Sequence, residues 1–384
     1  VSELPKGWTE VPLGKVVQFQ NGGTPKKDEP SYWHGTIPWI TSADITESNI
    51  AVRSHVSHEG VRRSATNVVP AGTTLLVTRT GIGKVAAAPF DLAFSQDITA
   101  IHSSTEVVPE YLRAFLRSQS EYFANNARGA TIKGITRRIV ETLRIPLPPL
   151  EEQRRIATIL DRVTAIQDAA DRYSHILRDN RRAAFLKVLA DSPVSHLPVE
   201  AVSAAIIDCP HSTPRWQESG VTCLRTTNLG YGEWNWDDHR FVDEAQHAER
   251  TKRADLLPGD IVLSREGTVG VMAMVTPGMK ASLGQRLVQV RPSDEINGEY
   301  LMEALMYELH PTRVEHRMIG ATAKRINVKA LKNLQLPVPP REAQDHFAAL
   351  ATQTRHIQTH VDARLTTLRR LTQSLQSRAF RGDL

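Results

Sequence analysis

Cysteine is nearly missing from this chain: two residues in 384, Cys209 and Cys223. Neither belongs to a CxxC pair, so both are expected as buried or free thiols rather than as zinc ligands or a disulfide. Long apolar runs are missing too. Nothing approaches the roughly 18 uninterrupted apolar residues that a membrane helix needs. The opening "VSELPKGWTE" also lacks the basic-then-apolar build of a signal peptide. No membrane association and a cytoplasmic location are expected. Negative charge falls slightly short of positive, 42 Asp+Glu against 47 Lys+Arg. The resulting +5 and isoelectric point near 9.2 permit nucleic acid as a partner without demanding it.

Catalytic motifs are absent as well. "TRTGIGKV" fails as a phosphate loop twice, with Thr78 where glycine is required and Val85 where Ser or Thr must follow Lys84. No GxGxxG opens a helix after a strand and no HExxH occurs. The Asp/Asn-Pro-Pro-aromatic tetrapeptide of adenine methyltransferases is missing, since "PLPPLEE" has neither the acid or amide nor the aromatic. His55 and His58 stand close but have no third ligand nearby, so no metal site is expected. "EWNWDDH" (233–239) offers carboxylates without an acid/base partner, and aromatics suited to packing. The chain is read as a non-enzyme.

What is present is a repeat. "IPLPPLEEQ" at 145–153 returns as "LPVPPREAQ" at 336–344, with Pro146, Pro148, Pro149, Glu151 and Gln153 returning 191 positions later. Gly129-Ala130-Thr131 returns at the same offset as Gly320-Ala321-Thr322. Upstream, "VVPAGTTLLVTRTGIGKV" (68–85) parallels "LLPGDIVLSREGTVGV" (256–271), and "PEYLRAFL" parallels "GEYLMEAL". Each copy therefore carries a Pro-Gly turn, a β-branched apolar run and a glycine turn, then a helix near Tyr111 or Tyr300. These are mixed α and β domains.

After each proline phrase the apolar period changes. Ile156, Ile159, Val163, Ile166, Ala170, Tyr173, Leu177 and Ala184 follow a heptad pattern. Phe347, Leu350, Thr354, Ile357, Val361, Arg364, Leu368, Leu371 and Leu375 keep the same register. Each copy thus ends in a long helix, of roughly 35 to 40 residues and about 50 to 60 Å, that the prolines precede. Burying one stripe against the other gives an intrachain coiled coil; an antiparallel pair is favoured over a parallel one because it relates duplicated units by a two-fold operation. The expected organisation is α+β: a domain at 1–147, a helix at 148–191, a second domain at 192–338 and a helix at 339–384. Pseudo-two-fold symmetry is expected to relate the halves.

Basic residues gather at matching places: Arg128, Lys133, Arg137, Arg138 and Arg144, then Arg317, Lys324, Arg325, Lys329 and Lys332. Such segments suit phosphate contacts, and equally suit a solvated face. Donor-rich loops supply further candidates for touching DNA. In the first copy these are Thr24, Lys26 and Lys27 of "QNGGTPKK", Thr41 and Ser42 of "WITSAD", Arg79, Thr80 and Lys84 of "TRTGIGK", and Gln96 of "FSQD". In the second they are Arg225, Thr227 and Asn228 of "LRTTNLG", Arg265 of "LSREGTVG", and Gln285. These side chains can hydrogen-bond base edges, and glycine lets the backbone approach closely. The competing reading is that the glycines make hairpins and Trp39 is core. Similar frames with different loops suggest two readers of different short sequences.

In these features the whole chain resembles the specificity subunits of Type I restriction-modification systems, which serve phage defence. The resemblance rests on "LPKGWTEVPLGKV", "NGGTP", "YWHGTIPWITSADI", "GATIKGITRRIVETLRIPLPPLEEQRRIATILD", its second copy and the terminal "SRAFRGDL". It implies two target-recognition domains, each reading half of a bipartite, asymmetric double-stranded DNA site, with the helices as a ruler between them. It also implies modification (methyltransferase) subunits docked on the chain and restriction (motor-nuclease) subunits joining them. Cofactors are then none in this chain, with S-adenosylmethionine, ATP and Mg2+ used by the assembled complex. Half-sites about one DNA turn apart, roughly 34 Å, suit a rod of this length. The second copy lacks the "GGTP" and "YW" opening, so contacts inferred from residues 21–44 do not transfer to it. The readings this displaces are a self-sufficient methyltransferase, which S-adenosylmethionine binding by the isolated chain would revive, and a coiled-coil scaffold with two protein-binding domains.

Overall fold

A computed structural model gives the structure for residues 4–46, 50–129, 133–314, 318 and 325–384. The chain divides into two units, Val1–Tyr173 with Ala363–Leu384, and Ser174–Asp362. This division cuts through both long helices, where the expected boundaries fell at 147, 191 and 338, because the two halves of each helix pack into different cores.

Unit 1 begins with β1 (Thr9–Pro12), β2 (Val17–Asn21), β3 (Ile37–Ile40) and β4 (Ser54–Val56), then the short α1 (His58–Arg62). There follow β5 (Val68–Val69), β6 (Thr74–Val77), β7 (Val85–Ala87), β8 (Leu92–Phe94) and β9 (Ile98–Ser103). The helices α2 (Pro109–Ser118), α3 (Ser120–Asn126) and α4 (Arg137–Glu141) precede β10 (Arg144–Leu147) and the long α5 (Leu150–Asp191). The strands form a sheet β2-β9-β6-β7, a sheet β4-β3-β8-β5 with β3 and β8 parallel, and a ribbon β1-β10. β6 is "TLLV" with every residue buried, so a continuous apolar run is what its place inside the sheet demands.

Unit 2 repeats the order. It contains β11 (Ser195–Pro198), β12 (Ser203–Asp208), β13 (Val221–Leu224), β14 (Phe241–Val242), α6 (Glu244–Arg250), β15 (Ile261–Ser264), β16 (Met272–Met274), β17 (Ala281–Leu283) and β18 (Leu287–Pro292). Then come α7 (Gly298–Glu308), α8 (Pro311–Val314), α9 (Val328–Lys332), β19 (Gln335–Val338) and α10 (Arg341–Ala379). Its sheets β12-β18-β15-β16 and β14-β13-β17 and its ribbon β11-β19 match those of unit 1, less a counterpart of β5.

The proline phrase is the closing strand of each ribbon. Proline contributes a carbonyl and no N–H, and the same donors meet those carbonyls in both units. Tyr111 Oη donates to Pro146 O and Tyr300 Oη to Pro337 O, both at 2.7 Å. The buried Gln153 donates to Pro148 O and Glu106 O at 2.9 Å while accepting from Val108 N. Gln344 donates to Pro339 O and accepts from Asn297 N, both at 2.9 Å. These bonds explain why Tyr, Pro and Gln recur together: they fix the strand-to-helix exit onto α2 or α7.

The long helices run antiparallel within each unit. In unit 1 the start of α5 (Ile156, Ala157, Leu160) shares a core with Ala379, Leu375 and Phe380 from the end of α10. In unit 2 Phe185, near the end of α5, packs on Phe347 with centroids 5.7 Å apart, beside Ala351. Cross-helix bonds follow: Thr372 to Gln167 at 2.9 Å in unit 1, and Ser174 to Asp362 at 3.1 Å in unit 2.

The buried register departs from the predicted seam by one residue at 159, 166, 173, 350, 357, 364 and 371. Ile156, Leu177 and Phe347 are buried, and Ile159, Val163, Ile357, Val361, Leu368 and Leu375 are half-buried. Ile166, Tyr173, Leu350 and Leu371 are exposed, and at the places one residue later Ser174, Ala351 and Thr372 are buried and Gln167 is half-buried. The contact stripe is thus a repeat of 153, 156, 160, 163, 167, 170, 174 and 177, with its α10 copy from 344. A reading that scores apolar residues keeps 156, 163, 170 and 177 but takes the more exposed 159, 166 and 173 in place of 160, 167 and 174, two of which are polar.

Candidate nucleic-acid interface

In unit 1 the candidate loops converge at the ends of β2, β3, β6 and β8. Gly23 N donates to Phe94 O, and Ser95 N to Ile40 O, both at 2.9 Å. A Cβ on Gly22 would collide with the carbonyl oxygens of Phe94 and Ser95, so the glycine pair is there for close backbone approach. Thr24 Oγ1 then donates to Gln96 Oε1 at 2.5 Å, joining candidates 72 positions apart. Thr78 N donates to Asp97 O at 2.8 Å, and Ile135 N to Thr78 O at 2.9 Å, which brings the basic segment after residue 128 against the "TRTGIGK" loop. Lys26, Lys27, Arg79, Thr80, Lys133, Arg137 and Arg138 are exposed. Arg137 pairs with Glu141 at 2.6 Å and lies over Phe19. Thr80 holds φ +50, a left-handed conformation costly for a β-branched residue.

Unit 2 builds the same frame from different residues. Gly284 N donates to Leu224 O at 2.8 Å, as Ser95 does to Ile40. Arg265 N donates to Arg286 O at 3.0 Å and Ile326 N to Arg265 O at 2.9 Å, so Arg265 stands where unit 1 has Thr78. Glu266 bridges Arg325 as Arg79 bridges Gly134, and Gly267, at φ +79, takes the place of Thr80. The 3-10 turns Ser42–Asp44 and Thr226–Asn228 correspond: Thr41 N donates to Asp44 Oδ2 at 2.7 Å and Arg225 N to Asn228 Oδ1 at 2.9 Å.

This frame revises several candidates. Ser42 and Asn228 are buried, and the Asn228 amide donates to Asn235 O and Asp238 O, so both serve the turn and present nothing outward. Lys84 Nζ donates to Ile45 O at 2.9 Å, and the Arg265 side chain is paired with Asp208 at 3.1 Å with only 11% exposed. Short polar residues that cap a turn are the types that read bases, so composition cannot separate the two roles. Thr41 bonds its own Asp44 at 2.8 Å. Thr227 and Arg325 are exposed, and Gln285 donates to His211 O at 2.8 Å. Lys324 lies outside the described residues. Trp39 is buried with Nε1 donating to Gly23 O, as core. Burial pushes the Cys209 and Cys223 thiols up, away from reactive thiolate. Among the described residues no group of three His, Cys, Asp or Glu is placed to hold a metal, and no helix is long and apolar enough to cross a membrane.

A duplicated mixed α/β frame, each copy exiting through a locked proline strand into a long helix, defines a two-headed recognition subunit. The model of the Type I restriction modification DNA specificity domain matches residues 5–172 and 243–367, and the chain belongs to that family. It is 21% identical to the MjaVIII specificity subunit of Methanocaldococcus jannaschii over 90% of this chain and 85% of that one. It is 23% identical to the EcoKI specificity subunit of Escherichia coli K12, over 100% and 90%. The MjaIX specificity subunit of M. jannaschii is 31% identical over 42% of this chain, a match spanning 38% of that relative's length. In fold it is similar to the crystal structure of the Type I restriction-modification S subunit from M. genitalium, with a TM-score of 0.60, 15% identity and 98% of each chain covered.

Proposed function

We propose that this chain reads a bipartite, asymmetric site on double-stranded DNA, one unit per half-site, and carries methyltransferase subunits to it. The observation that supports this most is the pairing of one backbone frame with unlike loop residues: Thr41 against Arg225, Arg79 against Glu266, and Thr80 against Gly267. A frame kept while its side chains change is what two readers of different sequences require. Exposed lysines and arginines around the unit 1 loops supply phosphate contacts.

Docking of modification subunits is supported by the stripe left outside the helix seam. Unit 1 exposes Ile166, Tyr173 and Leu371, and unit 2 exposes Ile176, Leu186 and Leu350, side chains that solvent does not favour on a helix surface. On this reading the chain carries recognition only. S-adenosylmethionine-dependent methylation belongs to the docked subunits, and ATP- and Mg2+-dependent translocation and cleavage to the restriction subunits that join them. The work is then cytoplasmic, where the DNA is.

The test is an exchange of residues 192–338 for those of another specificity subunit, followed by mapping N6-methyladenine across the host genome. One half of the methylated motif should change while the other half is kept. A motif unchanged in both halves would overturn the proposal.

A further inference from the structure

The segment "EWNWDDH", which offers carboxylates without a catalytic partner, folds in unit 2 into a stacked wall. Trp234 and Trp236 stack with centroids 5.4 Å apart, Trp236 meets His239 at 5.2 Å, and His239 stacks on Phe241 at 4.6 Å. The wall is tied down at both ends. Trp234 Nε1 donates to Met274 O at 2.8 Å, and His239 Nε2 lies 2.8 Å from Thr222 Oγ1. The buried Asn228 amide holds the backbone between them through Asn235 O and Asp238 O at 3.1 and 3.0 Å.

Asp238 projects from this wall and collects donors: Arg240 Nε at 2.9 Å, Thr227 Oγ1 at 3.5 Å, and Arg225 Nη1. The hydrogen bond from Arg240, with the Arg225 charge behind it, holds its carboxyl below the ordinary range, so it stays ionised. Arg225 in turn lies over Trp216, its guanidinium carbon 5.7 Å from the ring centroid, and keeps 36% of its side chain exposed. Among the described residues only Nη1 of that guanidinium has a partner. Nε and Nη2 remain as two adjacent donors.

Two adjacent donors on a planar fork match the N7 and O6 acceptors that guanine presents in the major groove. A carboxylate on one edge and an aromatic face beneath fix the fork before it meets anything, and that removes most of the ordering cost of the contact. A solvated surface pair has no need of such a wall, and is ordinarily worth little. Unit 1 has Thr41 at this position, bonded to its own Asp44.

We infer that Arg225 is a specificity-determining residue of unit 2 that contacts a guanine, with Asp238 and Trp216 as positioning residues that orient its guanidinium. The inference rests on the proposal that unit 2 reads a DNA half-site, and it names where that unit reads.

The test places Arg225→Ala, Arg225→Lys and Asp238→Asn in the full chain in its host and maps the methylated motif for each. Arg225→Ala and Arg225→Lys should both make one G·C position of one half-site degenerate, with about 10- to 100-fold discrimination lost there and the other half-site intact. Asp238→Asn should loosen that same position, since it keeps the shape of the side chain and removes the charge. Motifs unchanged by both Arg225 variants would overturn the inference, as would methylation that falls evenly over all sites in Arg225→Ala and returns in Arg225→Lys, the pattern of a phosphate contact. Should Arg225→Ala fail to accumulate, Arg225→Lys and Asp238→Asn decide alone. If exchanging residues 192–338 leaves both half-sites unchanged, the underlying proposal fails instead.

Discussion

Tyr111 and Tyr300 each bury a phenol whose hydroxyl donates to a proline carbonyl, and burial raises both well above the ordinary tyrosine range. Replacing either by Phe keeps the ring and strands the carbonyl, which should cost about 1–3 kcal/mol. Because the two bonds belong to separate units, the double variant should lose about the sum. Urea unfolding of the three variants checks this, and a loss below about 0.5 kcal/mol for both single variants would show that the carbonyls find other donors. A different residue ties stability to pH. Burial pushes the Glu233 carboxyl up to about 7, against the pull of Arg178 and Arg181 and with the help of a hydrogen bond and like charge from Asp362. The folded state therefore holds a proton that the unfolded chain releases near 4.5. Its contribution is full below that pH, falls as pH rises to about 7, and is gone above. Glu233→Gln should flatten this limb and gain on the parent chain at pH 8; melting curves that run parallel from pH 4.5 to 8 would reject it. None of this was legible beforehand, because "EWNWDDH" does not say which carboxylate is covered. The sequence pattern did find Tyr, Pro and Gln as a recurring set, and left their bonds unstated because those depend on how α2 and α7 pack.

Helices α5 and α10, 42 and 39 residues long, show what a period can and cannot reveal. Their existence, their starts after the proline phrase and their common register follow from the heptads. The true seam did not, since Gln153, Ser174 and Arg181 on α5 and Gln344, Gln358 and Thr372 on α10 are buried polar residues. Arg181 shows how such a position is satisfied: it pairs with Glu303 of α7 at 2.9 Å with both side chains less than a tenth exposed. A buried pair of this kind adds little net stability, but it fixes one register, and losing one partner is costly. Both helices contribute to both cores, so the spacing proposal gains a sharper form. A heptad inserted into α5 alone slips the seam and should destabilise without yielding a discrete new site. Matched heptads in α5 and α10, about 10.5 Å each, should lengthen the gap between methylated half-sites by about three base pairs and leave the half-site sequences alone. Methylome mapping of the matched insertion decides, and an unchanged gap would end the ruler idea.

Taken entire, the chain is a duplication whose two copies were recognisable in outline from their turns, apolar runs and loops. The pairing of those runs into matching sheets was not, because register between distant strands is set by contacts no local pattern records. Its net charge of +5 is small for a DNA-binding protein. Affinity should therefore come from a few localised contacts. Lys26→Ala or Lys133→Ala should weaken binding of the methyltransferase-loaded chain to all duplexes alike and lower the log–log salt slope by about one, with no change of motif. A salt slope unaltered by either substitution would place the phosphate contacts elsewhere.

The lock at each helix entrance has an evolutionary side. Its donors are one tyrosine and one glutamine, and its acceptors are main-chain carbonyls, which a strand offers whatever its side chains. A genetic crossover between Tyr111 and Gln153, or between Tyr300 and Gln344, joins parts from two parents and still sets every donor opposite a carbonyl. A splice placed there should therefore exchange a unit while leaving its entrance to the helix intact.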